Sequence, residues 1–108
     1  MPQSLARVHI HLVFSTKNRA PWISDNIRGA LHNYMGTLLD ERSCVPMHAN
    51  SVDDHAHILF ELSRTLPICD VVEDVKKHSS RWIKTQGDSF EAKKTFTLRS
   101  SVFVKRDE

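Results

Sequence analysis

The sequence predicts an α+β sandwich: one antiparallel sheet of four strands, with two helices covering a single face of it. Three observations carry this reading. Residues 8–14 and 55–62 alternate apolar and polar side chains, the period of a strand with one buried face. Residues 24–39 and 67–83 instead space their apolar residues by three and four, the period of a helix lying on a core. Two further β-prone runs, at 45–52 and 95–104, complete the order strand, helix, strand, strand, helix, strand.

Each element has its own justification. In the first strand, Val8, Ile10, Leu12 and Phe14 share one face, and the loop from Thr16 to Pro21 breaks the alternation. Ser24 stands where a helix N-cap belongs. Ile27, Ala30, Leu31, Tyr34, Met35, Leu38 and Leu39 then form an apolar stripe, which Gly29 and Gly36 weaken by up to about 1 kcal/mol each without breaking. Val45–Val52 reads as a second strand with Pro46 near its start, and Asp53-Asp54 as the turn after it. The third strand, His55–Leu62, turns Ala56, Ile58, Phe60 and Leu62 inward. Pro67 opens the second helix, whose stripe is Ile68, Val71, Val72, Val75, Trp82 and Ile83, and Gly87-Asp88 ends it. Thr95–Val104 is the last strand, followed by a charged tail, Lys105–Glu108. The order βαββαβ is that of a ferredoxin-like sandwich, and residues 1–108 read as one domain.

Composition narrows the function classes. The chain is 40% apolar and 26% charged, as in ordinary globular proteins. No apolar run approaches 18 residues, which excludes a helical membrane span, and no basic-then-apolar leader is visible, so a cytoplasmic location is expected. Cys44 and Cys69 form neither a disulfide framework nor a zinc spacing and are expected as reduced thiols. The formal charge is +2, but it is unevenly spread: residues 1–75 hold six Lys/Arg against nine Asp/Glu, residues 76–108 nine against four. A basic end suits a polyanionic partner; a solvated helix face with a charged tail is the plainer alternative.

The histidines go beyond a generic domain. If the even positions of strands one and three face the helices, then His9, His11, His55 and His57 share the uncovered face. A His-x-His pair on a strand sets two imidazoles on one face with Cα atoms about 6.5–7 Å apart. Such a pair can chelate a divalent cation when a further ligand arrives from elsewhere; half-buried polar residues are the plainer reading. Asp53 and Asp54 precede the second pair, either to orient a ring or simply to form the turn.

Three segments together resemble a known family. Asp54-His55-Ala56-His57-Ile58-Leu59-Phe60 is similar to the Asp-His-hydrophobic-His strand of the single-tyrosine HUH transposases, the insertion-sequence-200-like family. His11-Leu12-Val13-Phe14-Ser15-Thr16-Lys17-Asn18-Arg19 resembles that family's first strand and its Thr-Lys-x-Arg exit. Val75-Lys76-Lys77-His78-Ser79-Ser80-Arg81-Trp82 resembles the Lys-x-x-Ser-Ser-x-Trp segment of its second helix. Order and spacing agree over about residues 5–87.

The resemblance implies the same ferredoxin-like fold and a DNA strand-transfer chemistry. In such enzymes the two motif histidines bind Mg²⁺ or Mn²⁺, a tyrosine attacks the scissile phosphate of single-stranded or hairpin DNA, and a third ligand, often Gln, follows that tyrosine by one turn. Carried over, His55 and His57 become the metal ligands, with His11 a neighbour on their face, and Lys17, Arg19 and Lys76 become DNA contacts. Family members pair as dimers through their sheet edges, so a homodimer is expected.

The chain also departs from the pattern. Val52-Asp53-Asp54 stands where the family has Met-Pro-Asp, and residues 91–108 hold no Tyr, Gln or His. The one tyrosine, Tyr34, belongs to the apolar stripe of the first helix. The resemblance therefore implies a transposase domain truncated before its tyrosine helix and inactive as written. A non-catalytic nucleic-acid-binding module on the same fold, and an unrelated metal enzyme using all four strand histidines, are the competing readings.

Overall fold

A computed structural model describes residues 7–16, 19, 21–86 and 98–107. Six elements follow in the anticipated order: β1 (Arg7–Thr16), α1 (Asp25–Glu41), β2 (Val45–Val52), β3 (His55–Glu61), α2 (Ile68–Lys84) and β4 (Leu98–Asp107). The strands form one antiparallel sheet in the order β2-β3-β1-β4. The two alternating segments, β1 and β3, are thus the central, neighbouring strands, as a strand buried on one face and paired on both sides should be.

Period two decides which face is covered. Ile10, Leu12 and Phe14 of β1 and Ala56, Ile58 and Phe60 of β3 are buried beneath the helices. Ile27, Leu31, Met35, Leu38 and Leu39 of α1 and Val71, Val72, Val75 and Ile83 of α2 close over them. Each large side chain so buried contributes about 1.5–3 kcal/mol of transfer free energy. Within the helical layer Arg42 ties the two helices, its Nε 3.1 Å from Asp74 Oδ2, and the Tyr34 ring stacks on Trp82 with centroids 5.7 Å apart. Tyr34 is therefore a half-buried packing residue, as its place in the stripe implies.

Several local expectations are corrected. β4 runs to Asp107, through the segment read as a charged tail, because Lys105, Arg106 and Asp107 pair with His9, Val8 and Arg7 at the start of β1. A long partner strand extends pairing past the point where apolar residues stop. Ala30 is exposed: the stripe of α1 is narrower than the spacing allowed. Ser24 occupies the N-cap position of α1 with extended backbone, but its side chain makes no cap bond to the backbone. α2 closes at Lys84, with the Thr85 N–H donating to the Trp82 carbonyl at 3.0 Å. Gly87, Asp88 and Thr95–Thr97 lie outside the described residues. Cys44 is buried and Cys69 exposed, both free thiols. Among the described residues no helix is long and apolar enough to cross a membrane.

Candidate functional site

The sheet face away from the helices is built by register. β1 pairs with β3 so that His9 lies opposite Glu61, His11 opposite Leu59, Val13 opposite His57 and Ser15 opposite His55. Residues directly opposite in an antiparallel pair point to the same side, so His9, His11, His55 and His57 do share the open face. Among the described residues no helix covers this face, and His11 is exposed while His55 and His57 are half-buried.

The four histidines do not form one cluster. His11 and His57 meet across the two central strands, with Nε2 of His11 3.2 Å from Nδ1 of His57 and ring centroids 5.1 Å apart in an edge arrangement. His55 is held instead by its own neighbour: its Nδ1 lies 2.9 Å from Asp54 Oδ1. His9 stands at the far end of the strand, its Nε2 3.9 Å from Glu61 Oε1. Two residues join the face that sequence reasoning did not place there. The His48 ring of β2 lies 6.5 Å from that of His57, and the Phe103 ring of β4 6.2 Å from that of His11. The register shift between Pro46 and His48 breaks the alternation of β2, which concealed His48. Phe103 could be found only by pairing β4 with β1.

The β2–β3 turn is firmly seated. The backbone N–H and the hydroxyl of Thr16 both donate to the Asp54 carbonyl, at 2.9 and 3.2 Å, and the Ile23 N–H donates to the Asp53 carbonyl at 2.9 Å. The two turn carboxylates then divide their roles. Asp53 pairs with Arg28 of α1, while Asp54 bridges His55 and Arg19, whose Nε lies 2.9 Å from Asp54 Oδ2. Arg19 reaches this position from a left-handed backbone, φ 57°.

Electrostatics follow from these contacts. The hydrogen bond from His55, assisted by the Arg19 guanidinium, holds the Asp54 carboxyl below its usual range, against a smaller opposing effect of burial. Burial lowers the His57 pKa from 6.5, with His11, His48, His55 and His32 adding like-charge repulsion. His57 is thus biased toward neutral imidazole, the form that ligates a metal.

Of the residues expected to touch DNA, Arg19 reaches the His55 end of the site through Asp54. Lys76 sits half-buried on α2, in the layer on the opposite side of the sheet from the histidines. Lys17 lies outside the described residues. Among the described residues no group of three His, Cys, Asp or Glu stands ready to hold a metal ion. What the face does offer is a close pair of imidazole nitrogens and a third imidazole pinned by a carboxylate. That donor chemistry fits a divalent cation whose remaining positions are filled by water or phosphate oxygen.

Comparison with known proteins agrees with this architecture. A family model described as IS200-like transposase matches residues 4–105. The crystal structure of a candidate transposase from Deinococcus radiodurans R1 superposes with a TM-score of 0.80 at 17% identity, over 97% of this chain and 82% of that one. A REP-associated tyrosine transposase bound to a REP hairpin superposes with a TM-score of 0.64 at 10% identity. It covers 100% of this chain, which spans 62% of that one. At these identities the structural likenesses speak for the fold. No curated protein matches the chain.

Proposed function

The chain belongs to the IS200-like transposase family, and from that premise we propose that it binds single-stranded or hairpin DNA at transposon ends, on the open face of its sheet. The observation that carries this reading is the seating of His55 and His57 on that face, beside the Asp54–Arg19 ion pair. His55 and His57 are the metal ligands in this reading, with Mg²⁺ or Mn²⁺ as the ion. Asp54 accepts the Nδ1–H of His55 and so presents Nε2 outward, the arrangement in which a carboxylate fixes the tautomer of a ligating histidine. A divalent cation bound there supplies Lewis-acid polarisation of a phosphodiester.

The chain's own residues would bind and orient rather than cut. A phosphotyrosine intermediate needs a tyrosine within reach of the phosphate, and Tyr34 is stacked on Trp82 in the helical layer, across the sheet from the histidines. These 108 residues, read as one domain, therefore engage DNA without covalent capture. The hairpin carried by the REP-associated neighbour supports DNA as the ligand class. The sheet edges support a homodimer: β4 exposes Val102, Phe103 and Val104 at 38%, 60% and 59%.

The test is to mix the purified chain with labelled hairpin DNA and Mn²⁺ and to run native and denaturing gels. A retarded native band without a covalent adduct supports the reading. No retardation at low salt refutes it, and a covalent band lost in Tyr34→Phe overturns the assignment of Tyr34.

A further inference from the structure

Phe103 leaves 60% of its surface exposed within a paired strand, more than any other large apolar side chain among the described residues. A ring so placed adds little to folding, since most of its surface stays in water. We propose that Phe103 is a stacking platform for one unpaired base of single-stranded DNA, with Arg99 and Lys105 holding the phosphates on either side of it. The proposal rests on the reading of the open face as a DNA surface. It deepens that reading by naming what β4 takes, which is single strand beside the hairpin and not its paired stem.

Register carries the argument. Arg99 lies opposite Ser15, Ser101 opposite Val13, Phe103 opposite His11 and Lys105 opposite His9, so these four β4 residues stand on the histidine side of the sheet. All four are exposed. Val102 and Val104 lie opposite Leu12 and Ile10 and turn to the helical side. The apolar edge offered to a second copy and the ring offered to DNA therefore lie on different sides of β4. The His11 ring, 6.2 Å from that of Phe103 and tilted by 53°, walls the platform on its inner side. On the outer side β4 is the edge of the sheet, so a base has room to enter.

Chemistry selects the occupant. An aromatic face stacks on any base with little sequence preference, and four-stranded sheets with exposed rings recur as binders of single strands. A paired stem keeps its base faces within its own stack and has none to offer Phe103. Lys105 is one alternate position from Phe103 and Arg99 two, about 7 and 14 Å along the strand at ~3.4 Å per residue. Cations on both sides of one ring repeat the order of phosphate, base and phosphate along a strand of DNA. No carboxylate occupies residues 99–105, and Glu61, on the same face of β3, is already met by Arg7 and His9 at 3.9 Å. An apolar peptide, or the face of a second copy, would leave both cations without a partner.

The experiment is fluorescence anisotropy of the full chain against a labelled blunt hairpin and the same hairpin with a short single-stranded tail, at constant Mg²⁺. Wild type is compared with Phe103→Ala, Phe103→Leu and Phe103→Trp, and light scattering follows the oligomeric state of each. Phe103→Ala should weaken binding of the tailed hairpin roughly 5- to 150-fold, the equivalent of the 1–3 kcal/mol that stacking on one base contributes, and leave the blunt hairpin within about twofold. Phe103→Leu should fall with it, whereas Phe103→Trp should keep the wild-type affinity and lose indole fluorescence as the tail binds. Arg99→Ala and Lys105→Ala should each lower the slope of log K against log salt by about 0.7, the single-strand value for one phosphate. Equal affinity of Phe103→Ala and wild type for the tailed hairpin would overturn the platform and leave the DNA-binding reading standing. Full affinity in Phe103→Leu would replace stacking with a plain apolar contact, and a shift of Phe103→Ala to monomer would assign the ring to the dimer edge; either overturns the proposal. Binding of neither DNA by the wild type would overturn both readings.

Discussion

The Asp54 carboxylate grips His55 with one oxygen and Arg19 with the other, each at 2.9 Å. One turn residue thereby couples the orientation of a site imidazole to the position of the Arg19 guanidinium. Backbone bonds from Thr16 and Ile23 fix the turn itself, so the carboxylate has little freedom to swing away.

Replacing Asp54 with Asn should therefore act on the site and not on the fold. The amide cannot hold Arg19 as an ion pair and presents a donor as readily as an acceptor to His55 Nδ1. Where His55 contributes to a bound ion, affinity should drop by roughly 10–100-fold, the usual effect of removing such an orienting carboxylate. Mn²⁺ titration by electron paramagnetic resonance, alongside a thermal melt, checks both halves of the expectation.

Arg19→Ala should weaken hairpin DNA binding and lower the slope of log K against log salt by about one, the signature of a lost phosphate contact. Lys76→Ala should leave both unchanged, because Lys76 lies on α2, behind the sheet. Fluorescence anisotropy across a salt series distinguishes them; equal losses would mean that DNA wraps onto the helical face.

Stability should fall as the solution is acidified. His32 donates to or accepts from Ser51 Oγ at 2.8 Å, and burial first, then the charges of His48 and Arg28, lower its pKa from 6.5. A group whose folded pKa is depressed stabilises the fold above its unfolded value and loses that contribution as pH drops through the folded one. His57 is depressed in the same sense. Urea midpoints should thus decline below about pH 6.5, and His32→Asn should flatten part of that decline.

Phe60 is fully buried in β3, whereas Phe103 in β4 is 60% exposed. Phe60→Ala should cost about 3–5 kcal/mol by cavity formation, and Phe103→Ala within about 0.5 kcal/mol. Chemical denaturation of both variants measures the contrast.

Light scattering at micromolar concentration should give twice 12.4 kDa. Val104→Lys on the exposed β4 edge should shift the balance toward monomer, since an edge charge opposes strand-to-strand pairing.

The sequence by itself determined the elements and the two faces. Periods of two and 3.6 are local, and they place Ile10, Phe60, Leu31 and Val75 inside and His9, His11, His55 and His57 outside without reference to the rest of the chain. Partnership across strands is not local. That His11 meets His57, that His48 and Phe103 border them, and that β4 continues to Asp107 depend on register and on a bulge in β2, neither of which leaves a mark on periodicity. The division of labour between Asp53 and Asp54 was likewise decided by the packing of α1 and the β1 exit around the turn: Arg28 meets one carboxylate, Arg19 and His55 the other. Lys76, which belongs to the second-helix segment of the resemblance, lies on the far side of the sheet because α2 must cover the apolar face, and burial of that face outweighs any preference of a solvated lysine.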